Sequence, residues 1–347
     1  MTKNIKIGII GIGTIADVHA VAIKASSNME LLSAYSRNKE KAKSFAEKYN
    51  IRCFTDWNEF IQDSELDAVS ICTPNGTHLD IGKKAAEAKK HVIVEKPIEV
   101  TLERAQQLIN ACNDNDVQLA IIYQSRFMDN MQELKDLIDN NGLGKLFMGD
   151  AYVKWYRSQA YYDSGAWRGT LKLDGGGVLI NQAIHTIDLL QWFMGDVETI
   201  FGQTGTFTHN LECEDNVVAT LRYKNGALGV IQASTSVQPS QSRKIEIHGE
   251  KGSVLIDGDT VKISMVNEGP IEDKSLKNEL SASGSSSPLD GFSFEPHKRQ
   301  FEAIAKAIQN NKNPPVSGEE SLKSLAIVLA VYESAKKNAK ILMDISG

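Results

Sequence analysis

The pattern of apolar and polar residues divides the chain near residue 125. Up to that point, short apolar runs alternate with segments whose apolar positions recur at helical spacing. Ile5–Ile10 is nearly unbroken, with a single glycine, which suits a strand covered on both faces. From Thr14 to Ala25 the apolar positions Ile15, Val18, Ala22 and Ile23 share one helix face. The alternation then predicts strands at Leu31–Tyr35, Ala68–Cys72, His91–Val94 and Gln118–Ile122. Between them it predicts helices at Lys39–Tyr49, His78–Ala88 and Leu102–Asn113. Strands separated by helices make βα units of a parallel sheet, five strands being placed by these runs and six expected of a complete dinucleotide-binding sheet.

Beyond residue 125 the pattern changes to consecutive strands, at 146–157, 197–208, 214–224, 227–237, 243–249, 253–257 and 260–265. Asn225-Gly226 is a tight-hairpin dipeptide, and further glycine turns follow at 249–252 and 258. Such a run predicts a large, open, mostly antiparallel sheet, interrupted by helices at Leu179–Met194, Pro296–Asn311 and Glu319–Asn338. Residues 268–295 are polar and rich in serine, with no apolar period, and are expected to form a mobile or partner-contacting loop. The fold class is therefore α/β, with one domain over 1–125 and an α+β domain over 126–347.

Composition narrows the function. A chain of 347 residues is long enough for two domains of ~150 residues. Lys and Arg total 38 against 44 Asp and Glu, a formal charge of −6, which suits neither a nucleic-acid nor an anionic-membrane partner. Four dispersed cysteines without a C-x-x-C pair fit a reducing cytoplasm. The apolar N-terminus contains three glycines and lacks a secretory cleavage pattern, and no apolar run is long enough to span a bilayer. No metal-ligand spacing is present among the scattered histidines, and no serine lies in a strand–elbow–helix context.

The strongest local signal is Gly11-Ile12-Gly13-Thr14-Ile15-Ala16, a G-x-G-x-x-A pattern between a predicted strand and a predicted helix. Gly11 permits the turn, Gly13 admits a pyrophosphate close to the backbone, and the helix N-terminus at Thr14 and Ile15 offers N–H groups to it. At the end of the second strand an acid would select NAD by its ribose hydroxyl. Here Ser36 and Arg37 stand there instead, suited to a 2′-phosphate, so the cofactor is NADP or NAD with a lean to NADP. A solvated Arg37 opening a helix is the alternative. Thr73, Pro74 and Asn75 end a further strand at the edge where open α/β sheets bind ligands, with His78 beside them as either a cofactor contact or a helix cap. Glu95 and Lys96 end the next strand, where the nicotinamide belongs.

Together these residues resemble the Gfo/Idh/MocA oxidoreductase family. The resemblance rests on GIGTIA at 11–16, CTPNGTH at 72–78, EKP at 95–97, the run from Gly175 to Trp192, Gln124–Phe127 and Glu333–Ala335. It implies an N-terminal Rossmann domain binding NAD(P), and a C-terminal domain whose open sheet binds substrate and builds a homodimer or homotetramer. It also implies that Lys96 and His185 are the catalytic pair, that Gln124 meets the cofactor and that Arg126 meets the substrate. A histidine titrates in the range needed to take a hydroxyl proton, and a lysine steadies the developing oxyanion. Many members carry an acid four residues before this histidine. This chain has Asn181, which can hydrogen-bond a sugar hydroxyl but cannot act as a base.

Tyr152, Trp155, Tyr156, Arg157, Tyr161, Tyr162, Trp167 and Arg168 crowd together before the glycine run. Aromatic faces stack on sugar rings and arginines bind hydroxyl, carboxylate or phosphate, with core packing as the alternative for any single member. Tyr156, Trp167 and Arg168 are the candidate substrate contacts, the last two also reaching the cofactor, while Asp174 is read as a turn acid. The expectation is hydride transfer between NAD(P) and a secondary alcohol or ketone of a sugar derivative. An NAD-dependent glycosidase using transient oxidation, a cofactor-binding sensor and a dehydrogenase of a non-sugar carbonyl are the competing readings.

Overall fold

A computed structural model of the chain describes residues 3–266, 272–277 and 293–343. It falls into two compact units. The first comprises Met1–Phe127 together with Phe294–Leu322, so the chain returns to this unit after residue 293 and a single division at 125 does not describe it. In chain order its first part runs β1 (Ile5–Ile10), α1 (Thr14–Ala25), β2 (Met29–Tyr35), α2 (Lys39–Tyr49), β3 (Arg52–Phe54), α3 (Trp57–Ile61), β4 (Ala68–Ile71), α4 (His78–Glu87), β5 (His91–Glu95), α5 (Leu102–Asp114) and β6 (Leu119–Ile122). The six strands are all parallel, in the order β3-β2-β1-β4-β5-β6. Their order reverses between β1 and β4, the switch point at which open α/β sheets take ligands. The sixth strand, β3, has three residues and no apolar run to announce it.

The second unit comprises Met128–Ser293 and Lys323–Gly347. It contains α6 (Met131–Asp139), β7 (Leu146–Lys154), α7 (Gln159–Asp163), α8 (Ile184–Met194), β8 (Val197–Gly205), β9 (Asn216–Tyr223), β10 (Leu228–Ser234), β11 (Lys244–Gly249), β12 (Gly252–Asp257), β13 (Thr260–Met265) and β14 (Glu272–Lys277). The chain then passes through α9 (Glu295–Gln309) and α10 (Gly318–Lys337), which begins in the first unit and ends in the second, to β15 (Ile341–Leu342). The nine-stranded sheet runs β14-β13-β12-β11-β7-β10-β9-β8-β15. Among the described residues, only β7 and β10 of this sheet pair in parallel. One face receives α8: a Cβ on Gly149 would stand 2.5 Å from Met194 Sδ. On the opposite face Met148, Val218 and Leu228 are exposed, with Leu228 directly opposite Met148 in the ladder.

Two expectations change. Residues 272–277 are not loop but β14, hydrogen-bonded along β13, while most of the remaining polar stretch lies outside the described residues. The expected helix Leu179–Met194 begins as a wide turn over Val178–Ala183, and regular α-helix starts only at Ile184. The cause is Glu214, whose buried carboxylate accepts from Gly177 N–H and Leu179 N–H, both at 2.9 Å. Gly177 is required there, because a Cβ would lie 1.8 Å from the Glu214 carbonyl oxygen. No helix among the described residues is long and apolar enough to cross a membrane.

Candidate active site

The predicted cradle forms at the switch point. Gly11, with φ +89, turns the chain out of β1; a Cβ there would meet Thr73 Cγ2 at 2.7 Å and the Cys72 carbonyl oxygen at 3.0 Å. Gly13 precedes α1 and has nothing within 4 Å of where its Cβ would be, so the first N–H groups of the helix are open to a bulky anion. Gly13 and Thr14 are exposed and Ile15 is half-buried. At the end of β6, the Gln124 carbonyl Oε1 is buried and lacks a hydrogen-bond partner among the described residues. These features fit a dinucleotide: open N–H groups for the phosphates and an orphaned acceptor at the sheet edge.

The other cofactor candidates divide. Ser36 is buried and its hydroxyl accepts from Asn38 N–H at 3.2 Å, while Arg37 is exposed and has no ion-pair partner among the described residues. Thr73 and Thr77 share a hydroxyl hydrogen bond at 2.8 Å, and the Thr77 hydroxyl donates to Pro74 O. Asn75 is buried beside them. His78 lies inward of the turn. Its ring is fully buried between the carbonyl oxygens of Pro97, 2.9 Å from Nδ1, and Thr73, 3.0 Å from Nε2, and burial lowers its proton affinity. The ring ties the turn after β4 to the loop after β5.

Glu95, the other candidate at this edge, has internal partners. Its carboxylate lies 2.7 Å from His19 Nε2 of α1 and accepts from Lys96 N–H at 3.1 Å. His19 Nδ1 in turn meets Ser70 Oγ at 2.8 Å and Cys72 Sγ at 3.3 Å. Burial opposes charge on both partners. The Cys72 sulfur and the Glu95 carboxylate nevertheless raise His19 to about 10, and His19 holds Glu95 down at about 2. His297 lies nearby with its ring tilted by 54° to that of His19, 5.6 Å between centroids; burial and the His19 charge lower it to about 3. The three groups bring ligand atoms within 4.8 Å of one another. Two nitrogen and oxygen ligands of one tetrahedral ion, each ~2 Å from it, stand ~3.3 Å apart, so the 2.7 Å contact is that of an ion pair. Arg126, expected at the substrate, is buried and bound to Glu320 at 3.1 Å within the first unit.

In the second unit, His185 lies in the first turn of α8, half-buried, with Asp188 fully buried one turn on. Asn181 and Trp167 are half-buried, as is Tyr156, whose N–H donates to Ser240 Oγ. Arg168 lies 4.4 Å over the Tyr161 ring and 4.7 Å over the Trp167 ring, and its guanidinium donates to Tyr161 OH at 2.7 Å. Asp174 does serve its turn, accepting from Gly169 N–H at 2.8 Å. Its other oxygen accepts from the Asn181 amide at 2.6 Å, a contact made across the glycine run at 175–177. Gln182, absent from the sequence-based candidates, connects Asn181 to Tyr161.

A parallel six-stranded sheet with a glycine cradle at its switch point defines a dinucleotide-binding protein. Residues 5–123 match the family described as "Oxidoreductase family, NAD-binding Rossmann fold", and 131–255 match the GFO/IDH/MocA C-terminal domain. The chain belongs to the Gfo/Idh/MocA oxidoreductase family. The structure of the WlbA dehydrogenase from Bordetella pertussis, in complex with NADH and UDP-GlcNAcA, is 30% identical, with a TM-score of 0.84 over 99% of each chain. The myo-inositol 2-dehydrogenase of Thermotoga maritima is 26% identical over 98% of both chains. The 1,5-anhydro-D-fructose reductase of Ensifer adhaerens is 25% identical over 94% of this chain and 95% of its own.

The buried pair sets a pH signature. Glu95→Gln leaves His19 without its carboxylate, and breaking such a pair costs on the order of 3–5 kcal/mol. The raised His19 contributes stability fully present below about pH 6.5 and lost as pH rises toward about 10; the depressed Glu95 contributes stability present above about pH 4.3 and lost as pH falls toward about 2. The melting-temperature deficit of Glu95→Gln is therefore largest between about pH 4.5 and 6.5 and shrinks toward pH 9. A deficit that grows with pH would show that the pair is not ionised as described.

Proposed function

We propose that the chain is an NAD(P)-dependent oxidoreductase acting on a secondary alcohol or ketone of a sugar or sugar derivative. The observation that carries this reading is the cradle at the β1/β4 switch point, with Lys96 at the end of the adjacent strand β5. Gly11, Gly13, Thr14, Ile15, Thr73, Pro74, Asn75 and Gln124 would hold the dinucleotide, which when bound supplies the hydride-exchanging nicotinamide carbon. Lys96 hydrogen-bonds the reacting oxygen and steadies its charge, and His185 takes the hydroxyl proton. Asn181, Trp167 and Arg168 orient the sugar. The relatives named above act on a cyclic polyol and an anhydro sugar, or were solved with a nucleotide sugar, which supports this substrate range.

The cofactor is inferred to be NADP(H) in preference to NAD(H). No acid follows β2 before Glu40, and Ser36 with the exposed Arg37 suits the 2′-phosphate. A homodimer or homotetramer is inferred through the free face of the nine-stranded sheet, where Met148, Val218 and Leu228 are exposed. Four free thiols, three of them buried, suit a cytoplasmic setting.

Three measurements test these readings. A panel of inositols, sugars and nucleotide sugars with NAD+ and NADP+, followed at the nicotinamide absorbance, identifies the turnover. Lys96→Ala and His185→Ala each lower kcat by about 100-fold or more. Turnover surviving both substitutions, or release of an aglycone without net reduced cofactor, would replace the proposal. Arg37→Glu weakens NADP(H) at least about tenfold more than NAD(H) in a fluorescence titration, one ion pair to phosphate being worth that factor. Equal loss for both removes the preference. Leu228→Asp lowers the solution mass measured by light scattering, since a charge on the apolar face opposes its burial; an unchanged mass rejects that interface.

A further inference from the structure

The hydrogen bonds around Tyr161 have only one self-consistent direction. Asp174 accepts on both oxygens, so the Asn181 amide must turn its NH2 toward it and its carbonyl oxygen away. That carbonyl accepts from Gln182 Nε2 at 3.0 Å, which in turn fixes the Gln182 amide with its NH2 between Asn181 and Tyr161. The second Gln182 proton goes to Tyr161 OH at 2.9 Å. From the other side Arg168, a donor only, contributes a second fixed proton to the same oxygen at 2.7 Å. Both lone pairs of the Tyr161 hydroxyl are thereby filled. Its own proton has no acceptor among the described residues, and must be donated outward.

The charge around that proton is positive. Arg157 lies 5.5 Å and Arg168 4.4 Å from the Tyr161 ring centroid, and neither has a carboxylate within ion-pair distance among the described residues. The nearby carboxylate of Asp174 is engaged by Gly169 and Asn181, and position 181 itself is an amide. An outward hydroxyl donor beside an unneutralised guanidinium suits an anionic oxygen. We propose that Tyr161 is a substrate-contacting residue that, with Arg168, binds a carboxylate or phosphoryl oxygen of the sugar derivative, its direction of donation imposed by Asp174 through Asn181 and Gln182. This rests on the sugar-oxidoreductase reading and names the substrate class that the same site takes.

The test compares UDP-GlcNAcA, UDP-GlcNAc and free N-acetylglucosamine, with inositol as a neutral control. The variants are Tyr161→Phe, which keeps the ring and its stacking, and Asp174→Asn, which frees Asn181 and Gln182 to turn over and accept the tyrosine proton. Each single variant raises KM for the anionic substrate about tenfold, the size of one charge-assisted hydrogen bond, with kcat within about threefold. The double variant is no worse than either single, because both remove the same proton. If Asp174→Asn does not fold, Gln182→Glu takes its place, since it turns the donor facing Tyr161 into an acceptor. Preference for UDP-GlcNAcA over UDP-GlcNAc assigns the contact to a carboxylate; equal use of both, with loss of the free sugar, assigns it to a phosphoryl group. Turnover of neutral sugars with Tyr161→Phe unaffected, or additive losses in the double variant, overturns this inference alone. Turnover of none of these, nor of any compound in the wider panel, overturns the oxidoreductase reading and this one with it.

Discussion

The ion pair between His19 and Glu95 is the constraint on which the first unit depends. His19 belongs to the helix whose N-terminus forms the phosphate cradle, and Glu95 ends the strand that carries Lys96. Removing two charges from water is costly, and an apolar pair of similar volume would often stabilise the core as well. What an apolar pair does not supply is direction. The carboxylate reaches both His19 Nε2 and Lys96 N–H, so it sets the helix, the strand end and the peptide of the proposed catalytic lysine against one another. His78 places its ring between a carbonyl oxygen of the same loop and one of the turn after β4. The edge of the sheet is thus held by polar groups with defined geometry, while the apolar strands below supply the burial.

The second unit uses buried carboxylates in a comparable way. Glu214 takes the N–H groups of Gly177 and Leu179, and burial raises its carboxyl above the usual range despite those bonds. Tyr332 donates a further hydrogen bond to it at 3.0 Å. This clamp makes the wide turn that leads into α8, and so decides where His185 lies relative to Asn181. Asp174 performs the second part of the task, turning one amide and through it another. In both cases a carboxylate acts by accepting hydrogen bonds whose donors then have no alternative orientation.

Much of the architecture was legible because it obeys a short period. The helices at Thr14–Ala25 and Lys39–Tyr49 have the predicted bounds, the second helped by Asn38, whose side chain caps Lys41 N–H. The β1 cradle was legible because glycine at fixed offsets after an apolar run has few other uses. Elements with too few residues to show a period, such as β3 and α7, were not legible. The internal partners of His78 and Glu95 were not legible for a related reason. Motif position places them at the ligand edge, yet each also meets a partner distant in sequence, Pro97 for His78 and His19 for Glu95.

The chain's own order of residues determines the two kinds of sheet, the dinucleotide cradle and the family, since these follow from local period and from motifs a few residues long. Which polar groups face a ligand is decided only in three dimensions. The donor or acceptor role of an amide, a hydroxyl or an imidazole is set by what stands opposite it. For Asn181 that partner is Asp174, for Tyr161 it is Gln182 and Arg168, and for Glu95 it is His19. Residue type states that a group can form a hydrogen bond; the tertiary structure fixes in which direction.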